Sequence, residues 1–187
     1  MTMKKILVPL DGSPTASEAL PMAMSLARRS NAALCLISVA SGGSGDLGIG
    51  DTNLYLEEMA SSLAFDGFAA CTHTGTGATA QSIVDTATNE KVDMIVMTTR
   101  GRSGITRGIL GSVTDAVISH ATVPVYVVRS NNAPRVSVES ENNSGVIVPL
   151  DGSELSESAL DTAIQMAELS AAPISLLRVV NDALDIG

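Results

Sequence analysis

Short apolar runs alternate with longer stretches of helical period along most of this 187-residue chain. Ile6–Leu10, Leu34–Val39, Phe68–His73, Asp93–Thr98 and Val125–Val128 read as five strands, the third weaker than the rest. Their near-continuous apolar character is that of strands covered on both faces. Between the first two, Ser13 or Thr15 caps a helix that runs through Ala16, Leu20, Ala23 and Ala27. Pro14 suits its first turn, whereas Pro21 falls inside the pattern and predicts a bend. A glycine-rich stretch, Gly42–Gly50, leads into a short helix around Asn53–Leu63. Ala80–Asn89 places Ile83, Val84 and Ala87 on one face, and Ser112–His120 forms the last helix of the series. Strand and helix in strict alternation predict an α/β fold, an open parallel five-stranded sheet with helices on both faces.

The pattern then restarts. Ile6–Ala40 aligns without gaps on Val146–Val180, with 14 of 35 positions identical, including Val-Pro-Leu-Asp-Gly-Ser at 8–13 and 148–153. Ser130–Ser144, rich in Asn, Ser, Glu and Pro, has no periodicity and reads as a linker. The predicted organisation is a full domain over 1–130, a linker over 131–144, and a partial second repeat over 145–187 of strand, helix and strand. Such a unit buries too little surface to stand alone, and its strand edges invite pairing. It is expected to pack on the first domain or on a partner chain.

The chemistry concentrates after the fourth strand. Gly101, Gly104, Gly108 and Gly111 interrupt a loop that also holds Arg100, Arg102 and Arg107, with no acidic residue between Asp93 and Asp115. Ser112 opens the next helix, and Asp115 stands three residues on as a capping-box partner. Unpaired N–H groups and the helix dipole both favour an anion there. In a chain of net charge −9, this is a local positive pocket, and phosphate is the first ligand to expect.

The acidic balance argues against general nucleic-acid binding, which depends on a basic surface. Hydrophobic residues make up 45% of the chain but aromatics only 2%, so aliphatic side chains must fill the core. No segment approaches the roughly 18 apolar residues of a membrane helix, and the first apolar run is too short for a signal peptide; a cytoplasmic protein is expected. Cys35 and Cys71 fall in or beside apolar runs and read as small buried hydrophobes, with neither zinc-site nor disulfide spacing. His120 reads as a C-terminal cap on its helix, and His73 as a surface residue at a strand end with no acidic partner nearby in sequence. Gly75-Thr76-Gly77-Ala78-Thr79-Ala80 imitates a dinucleotide fingerprint, but Asp93 begins the following strand rather than ending it. No phosphate-loop lysine, nucleophile elbow or paired carboxylates are present, which favours binding over turnover.

Taken together, these residues resemble the universal stress protein family, in its nucleotide-binding type. Pro9-Leu10-Asp11-Gly12-Ser13 matches the motif that ends the family's first strand. Gly101, nine residues, Gly111 and Ser112 match the last three elements of its G-x2-G-x9-G-[ST] signature, while Thr98 replaces the first glycine. His120 to Val128 also resembles the family pattern. The likeness covers residues 4–129 as a domain and 145–181 as the start of a second, so the tail resembles a truncated tandem copy. The glycine-rich Ser41–Asp46 stretch follows the second strand, not the first as in the pyrophosphate loops of a related superfamily, and reads as a loop beside the nucleotide.

The resemblance implies sheet order 3-2-1-4-5, with ATP at the carboxyl ends of strands 1 and 4, the general switch point of such sheets. It places Asp11 and Val39 by the adenine and ribose, with Pro9 and Leu10 on the same wall. Gly101, Arg102, Gly111, Ser112 and Val113 are implied to cradle the phosphates. Thr98 either narrows the cleft or contributes a hydroxyl. Mg²⁺ is expected with the triphosphate, since no set of protein carboxylates is available to hold a cation alone. The expected function is an ATP-binding regulatory module of the stress response, with at most slow hydrolysis and an unknown protein partner. The alternatives are a nucleotide-free dimeric scaffold and an ATPase or adenylyl-transfer enzyme. A homodimer is implied through the fifth strand, Val125–Val128.

Overall fold

Five parallel strands carry the first part of the molecule: β1 (Lys5–Pro9), β2 (Ala33–Ala40), β3 (Ala70–Thr76), β4 (Met94–Thr98) and β5 (Val125–Val128). They lie in the order β3-β2-β1-β4-β5, as expected. The computed structural model describes residues 3–40, 49–99, 110–129 and 145–179. The helices are α1 (Pro14–Ser17), α2 (Leu20–Ser30), α3 (Ile49–Phe65), α4 (Thr79–Asn89) and α5 (Ser112–His120). By Cα packing the chain divides into two units, residues 2–138 and 139–187. The second holds β6 (Val146–Pro149), α6 (Glu154–Glu157), α7 (Leu160–Ser170) and β7 (Ile174–Leu177), with β6 and β7 paired in parallel.

Right-handed crossovers put α2 and α3 on one face of the large sheet and α4 and α5 on the other. On the α4–α5 face, Leu7, Cys35, Ile37, Ile95 and Met97 meet Ile83, Ala87 and Val117 in one buried cluster. Each large aliphatic side chain there is worth about 1.5–3 kcal/mol in removed surface. Small side chains let the helices sit close. A Cβ on Gly75 would lie 2.0 Å from Ser82 Oγ and 3.2 Å from Val39 Cγ2. Gly75 is therefore set by the packing of α4 on the sheet, which accounts for the fingerprint-like Gly75–Ala80 run without a dinucleotide.

Several element boundaries differ from the pattern, the largest differences falling around α1–α2, α3 and β3. The single bent helix expected after β1 is two helices, because Pro21 falls in the first turn of α2 and cannot continue a ladder from α1. The third strand begins at Ala70 rather than Phe68; Phe68 is buried, but its N–H closes the end of α3 on the Leu63 carbonyl. Gly50, expected in a loop, belongs to α3. The Ser41–Asp46 stretch, the linker and residues beyond Val179 lie outside the described residues.

The cysteine reading is corrected. Cys35 and Cys71 are register partners on β2 and β3, and their sulfurs are joined in a disulfide. They stand 36 positions apart in sequence, so spacing carries no signal; parallel pairing alone brings them together.

Candidate functional site

Past the end of β1, the Leu10 N–H donates to the Ile37 carbonyl at 2.8 Å, so the chain stays beside β2 for one more residue. The chain then turns at Asp11. Asp11 Oδ1 accepts the Ser13 backbone N–H at 2.9 Å and the Ser13 hydroxyl at 2.5 Å. That hydroxyl in turn accepts the Ala16 N–H at 3.1 Å and caps α1. Between them Gly12 sits at φ 79°, a conformation that costs a glycine least. Asp11 thus has the turn role that Asp and Ser favour ahead of a helix. The sheet order sets Val39, Pro9–Asp11 and Thr98 at the carboxyl ends of three neighbouring strands, β2, β1 and β4. The β1–β4 ladder spans Ile6–Met94 and Leu7–Ile95, so toward these ends the two strands run on without shared pairing.

The loop after β4 is closed at both ends by hydrogen bonds. Thr99 donates to the Val128 carbonyl at 2.9 Å and accepts the Gly111 N–H at 2.8 Å. The Thr98 carbonyl accepts the Thr114 hydroxyl at 3.0 Å, a buried contact. The start of α5 is therefore anchored to the end of β4. Gly101 and Arg102, with Arg100, Gly104, Arg107 and Gly108, lie outside the described residues.

The expected capping box is not formed. Gly111, extended at φ −65° and ψ 148°, is the N-cap, and among the described residues no side-chain cap is formed there. Ser112 is the first helical residue and is exposed. Asp115 makes the first intrahelical bond, its N–H donating to the Gly111 carbonyl at 2.9 Å. The Ser112 and Val113 N–H groups precede that bond and point out of the helix end as donors. An uncapped N-terminus suits an anion better than a capped one, since its donors are not already committed to a side chain. Val113 also packs against the core cluster, which fixes the helix end in place.

Thr114 was not among the expected site residues. Its signal was a hydroxyl one turn from Val117 on the helix's apolar face, where a buried polar group needs a partner. His120 fulfils its expected role, with Nδ1 2.7 Å from the Ala116 carbonyl. His73 does not. Its Nε2 is shut off from solvent and lies 3.7 Å from Glu90 Oε1, so the acidic partner absent from nearby sequence is supplied by the end of α4.

The second unit repeats the turn of the first. Asp151 Oδ1 accepts the Ser153 N–H at 2.8 Å and its hydroxyl at 2.6 Å, Gly152 has φ 90°, and Ser153 caps α6. Its surroundings differ. Leu7, Leu36 and Ile37 are fully buried, whereas Ile147, Leu176 and Leu177, at the equivalent positions, are exposed.

The family model described as Universal stress protein family matches residues 2–129. The chain belongs to that family. A universal stress protein of Methanocaldococcus jannaschii is 34% identical over 142 residues, covering 67% of this chain and 82% of that protein. A universal stress protein of Mycobacterium tuberculosis H37Rv is 33% identical over 91 residues, 49% of this chain. The chain spans 29% of the length of that relative. Among solved structures, a universal stress protein in complex with cAMP superposes with a TM-score of 0.57 at 23% identity, over 70% of this chain and 100% of that one. The five-stranded order is that of the universal stress protein fold. Among the described residues, no helix is long and apolar enough to cross a membrane.

Proposed function

We propose that this universal stress protein binds an adenine nucleotide, ATP with Mg²⁺, and acts as a regulatory module whose partner contacts depend on the nucleotide. The uncapped N-terminus of α5, anchored to the end of β4 beside a glycine- and arginine-bearing loop, carries this reading. In this arrangement the Ser112 and Val113 N–H groups and the Ser112 hydroxyl donate to phosphate oxygens. Gly101 and Gly111 admit close approach, and Arg102 supplies a bidentate fork. Asp11 accepts from ribose hydroxyls, while Pro9, Leu10 and Val39 form the apolar wall for the base. The Thr98 carbonyl holds α5 through Thr114, so this residue shapes the phosphate end of the site through its backbone.

Mg²⁺ would be carried in on the phosphates and supply charge neutralisation. The chain's own contribution is binding and orientation. Hydrolysis is at most slow in this reading, since the sequence has no phosphate-loop lysine, nucleophile elbow or paired carboxylates. The solved relative bound to cAMP makes an adenine nucleotide a chemically consistent choice. The homodimer belongs to the same proposal: β5 is an edge strand of the five-stranded sheet, open to pairing with a second copy. The exposed apolar residues of the second unit, taken as a truncated repeat, suit burial against another surface.

The test uses the internal repeat as its own control. Asp11→Asn and Asp151→Asn change the same turn in two units, each carboxylate accepting the N–H and the hydroxyl of the serine two residues on. Calorimetric titration with Mg²⁺–ATP is expected to show one site per chain, weakened about tenfold or more by D11N and unchanged by D151N; each lost charge-assisted bond is worth about 1.5–3 kcal/mol. Equal effects of the two substitutions would remove Asp11 from the site, and no ATP binding by the unaltered chain would support the nucleotide-free scaffold instead.

A further inference from the structure

At the amino-terminal half of β2 and β3, on the face covered by α4, three potential soft-metal ligands converge. Cys35 and Cys71 are opposite each other across the strand pair, and His73, two residues beyond Cys71, points to the same face. The two sulfurs and an imidazole nitrogen lie within 4.8 Å of one another. Ligand atoms around a tetrahedral zinc ion stand about 3.5–3.8 Å apart, so a small adjustment suffices once the sulfurs are no longer bonded. Cys35 is fully buried, while Cys71 and His73 are half-buried on the strand that forms the sheet edge, which gives an entry path.

The second observation is the imidazole itself. His73 Nε2 is shielded from solvent and makes no hydrogen bond, yet Glu90 Oε1 stands 3.7 Å away. Glu90 is in turn held by Lys5, whose Nζ donates to its Oε2 at 2.9 Å and to its backbone carbonyl at 3.0 Å. A carboxylate behind an imidazole is the arrangement that orients a metal-ligating histidine and raises its basicity. None of these residues belongs to the proposed nucleotide site: Cys35 and Cys71 lie nearer the amino-terminal ends of their strands, and His73, level with Pro9 by way of Ile37, is on the edge strand two strands away from β1.

We propose that Cys35, Cys71 and His73, when the disulfide is reduced, bind a thiophilic divalent cation such as Zn²⁺, with Glu90 as the positioning residue for His73. Two thiolates, one imidazole and an open fourth position form a donor set that zinc accepts. Reduction proceeds by exchange with a dithiol. One thiolate of the reductant attacks one protein sulfur and expels the other, then its second thiolate displaces the mixed disulfide. The reductant leaves as its own disulfide, and its two hydrogens end on Cys35 and Cys71. Cation binding releases those two protons to solvent. Re-forming the disulfide by exchange with an oxidised dithiol, which takes up the two electrons with two protons from solvent and leaves as the free dithiol, removes both thiolate ligands and expels the ion, so the oxidised chain is the closed form of the site.

The experiment uses the full chain, reduced with a dithiol that is then removed without air, its two thiols confirmed by titration. Co²⁺ is the probe. One equivalent is expected to give a thiolate-to-cobalt charge-transfer band with intense tetrahedral visible bands, both lost on adding Zn²⁺. The oxidised chain is expected to show neither band. Cys71→Ser and His73→Gln should each remove or strongly alter the spectrum, and Glu90→Gln should weaken Co²⁺ binding about 10–100-fold while keeping the same bands. Circular dichroism of the metal-free variants checks folding, and His73→Gln, at a half-buried position that leaves both cysteines in place, keeps the test valid if a cysteine variant misfolds. No thiolate–cobalt band in the reduced chain, or a band unchanged by His73→Gln, overturns the proposal.

Discussion

The Thr114 hydroxyl donates to the Thr98 carbonyl at 3.0 Å across 16 residues of chain, and both residues are buried. This bond ties the first turn of α5 to the last residue of β4, whatever the loop between them does. Thr114→Val keeps the shape and deletes the donor, leaving the carbonyl with one partner fewer. The expected cost is about 1–3 kcal/mol in urea unfolding, with weaker Mg²⁺–ATP binding because the helix end is no longer registered on the strand. Unchanged stability would mean that the Thr98 carbonyl is already satisfied by other partners.

A Cβ at Gly75 would displace the Ser82 hydroxyl and press on Ser82 Cβ and Val39 Cγ2, each 3.2 Å away. Gly75→Ala is expected to destabilise by about 1–3 kcal/mol through overpacking of α4 on the sheet. Ser82→Ala removes the atom that the new methyl would strike. In the double variant the loss should be smaller than the sum of the two single losses, a coupling that a double-mutant cycle measures. Additive losses would place the constraint elsewhere.

Asp151 offers a pH signature. Hydrogen bonds from the Ser153 hydroxyl, the Ser153 backbone and Ser156 lower its carboxyl pKa from an ordinary 3.8 to about 2. A carboxylate with a depressed folded pKa stabilises the fold above its unfolded value, and that contribution is lost as pH falls through the folded one. The window is therefore about pH 4 down to 2. Carboxyl carbon NMR should place the Asp151 midpoint near 2, and Ser153→Ala should move it back toward the ordinary range. The Glu90 carboxyl is likewise lowered, first by the Lys5 hydrogen bond and then by the His73 charge. Lys5→Met should raise its midpoint in the same experiment.

Asn31 and Ala171 end equivalent helices, at φ 56° and 51°, in the left-handed region. Asn tolerates that conformation, and alanine does not without strain of about 1–2 kcal/mol. Ala171→Gly is expected to stabilise the second unit by about 0.5–1 kcal/mol after the greater chain entropy of glycine is subtracted. Hydrogen exchange of the α7 amides should slow severalfold; no change would show that Ala171 is relaxed in this turn.

Much of this protein was legible from local pattern. The five strands, the alternation that requires a parallel sheet, and the Asp-Gly-Ser turns at 11–13 and 151–153 follow from periodicity and turn chemistry, which act over a few residues. The capping box expected at Ser112 does not form because Gly111 takes the N-cap position, and a sequence window does not show which residue leaves the helix. The partners that matter most are separated by long stretches of chain. Parallel crossovers set Cys35 against Cys71, Glu90 against His73, and Thr114 against Thr98. The repeat shows the same division within one molecule. Local geometry at 8–13 and 148–153 is alike because identical residues dictate it, but Leu7 is buried and Ile147 exposed because burial depends on which elements cover the strand.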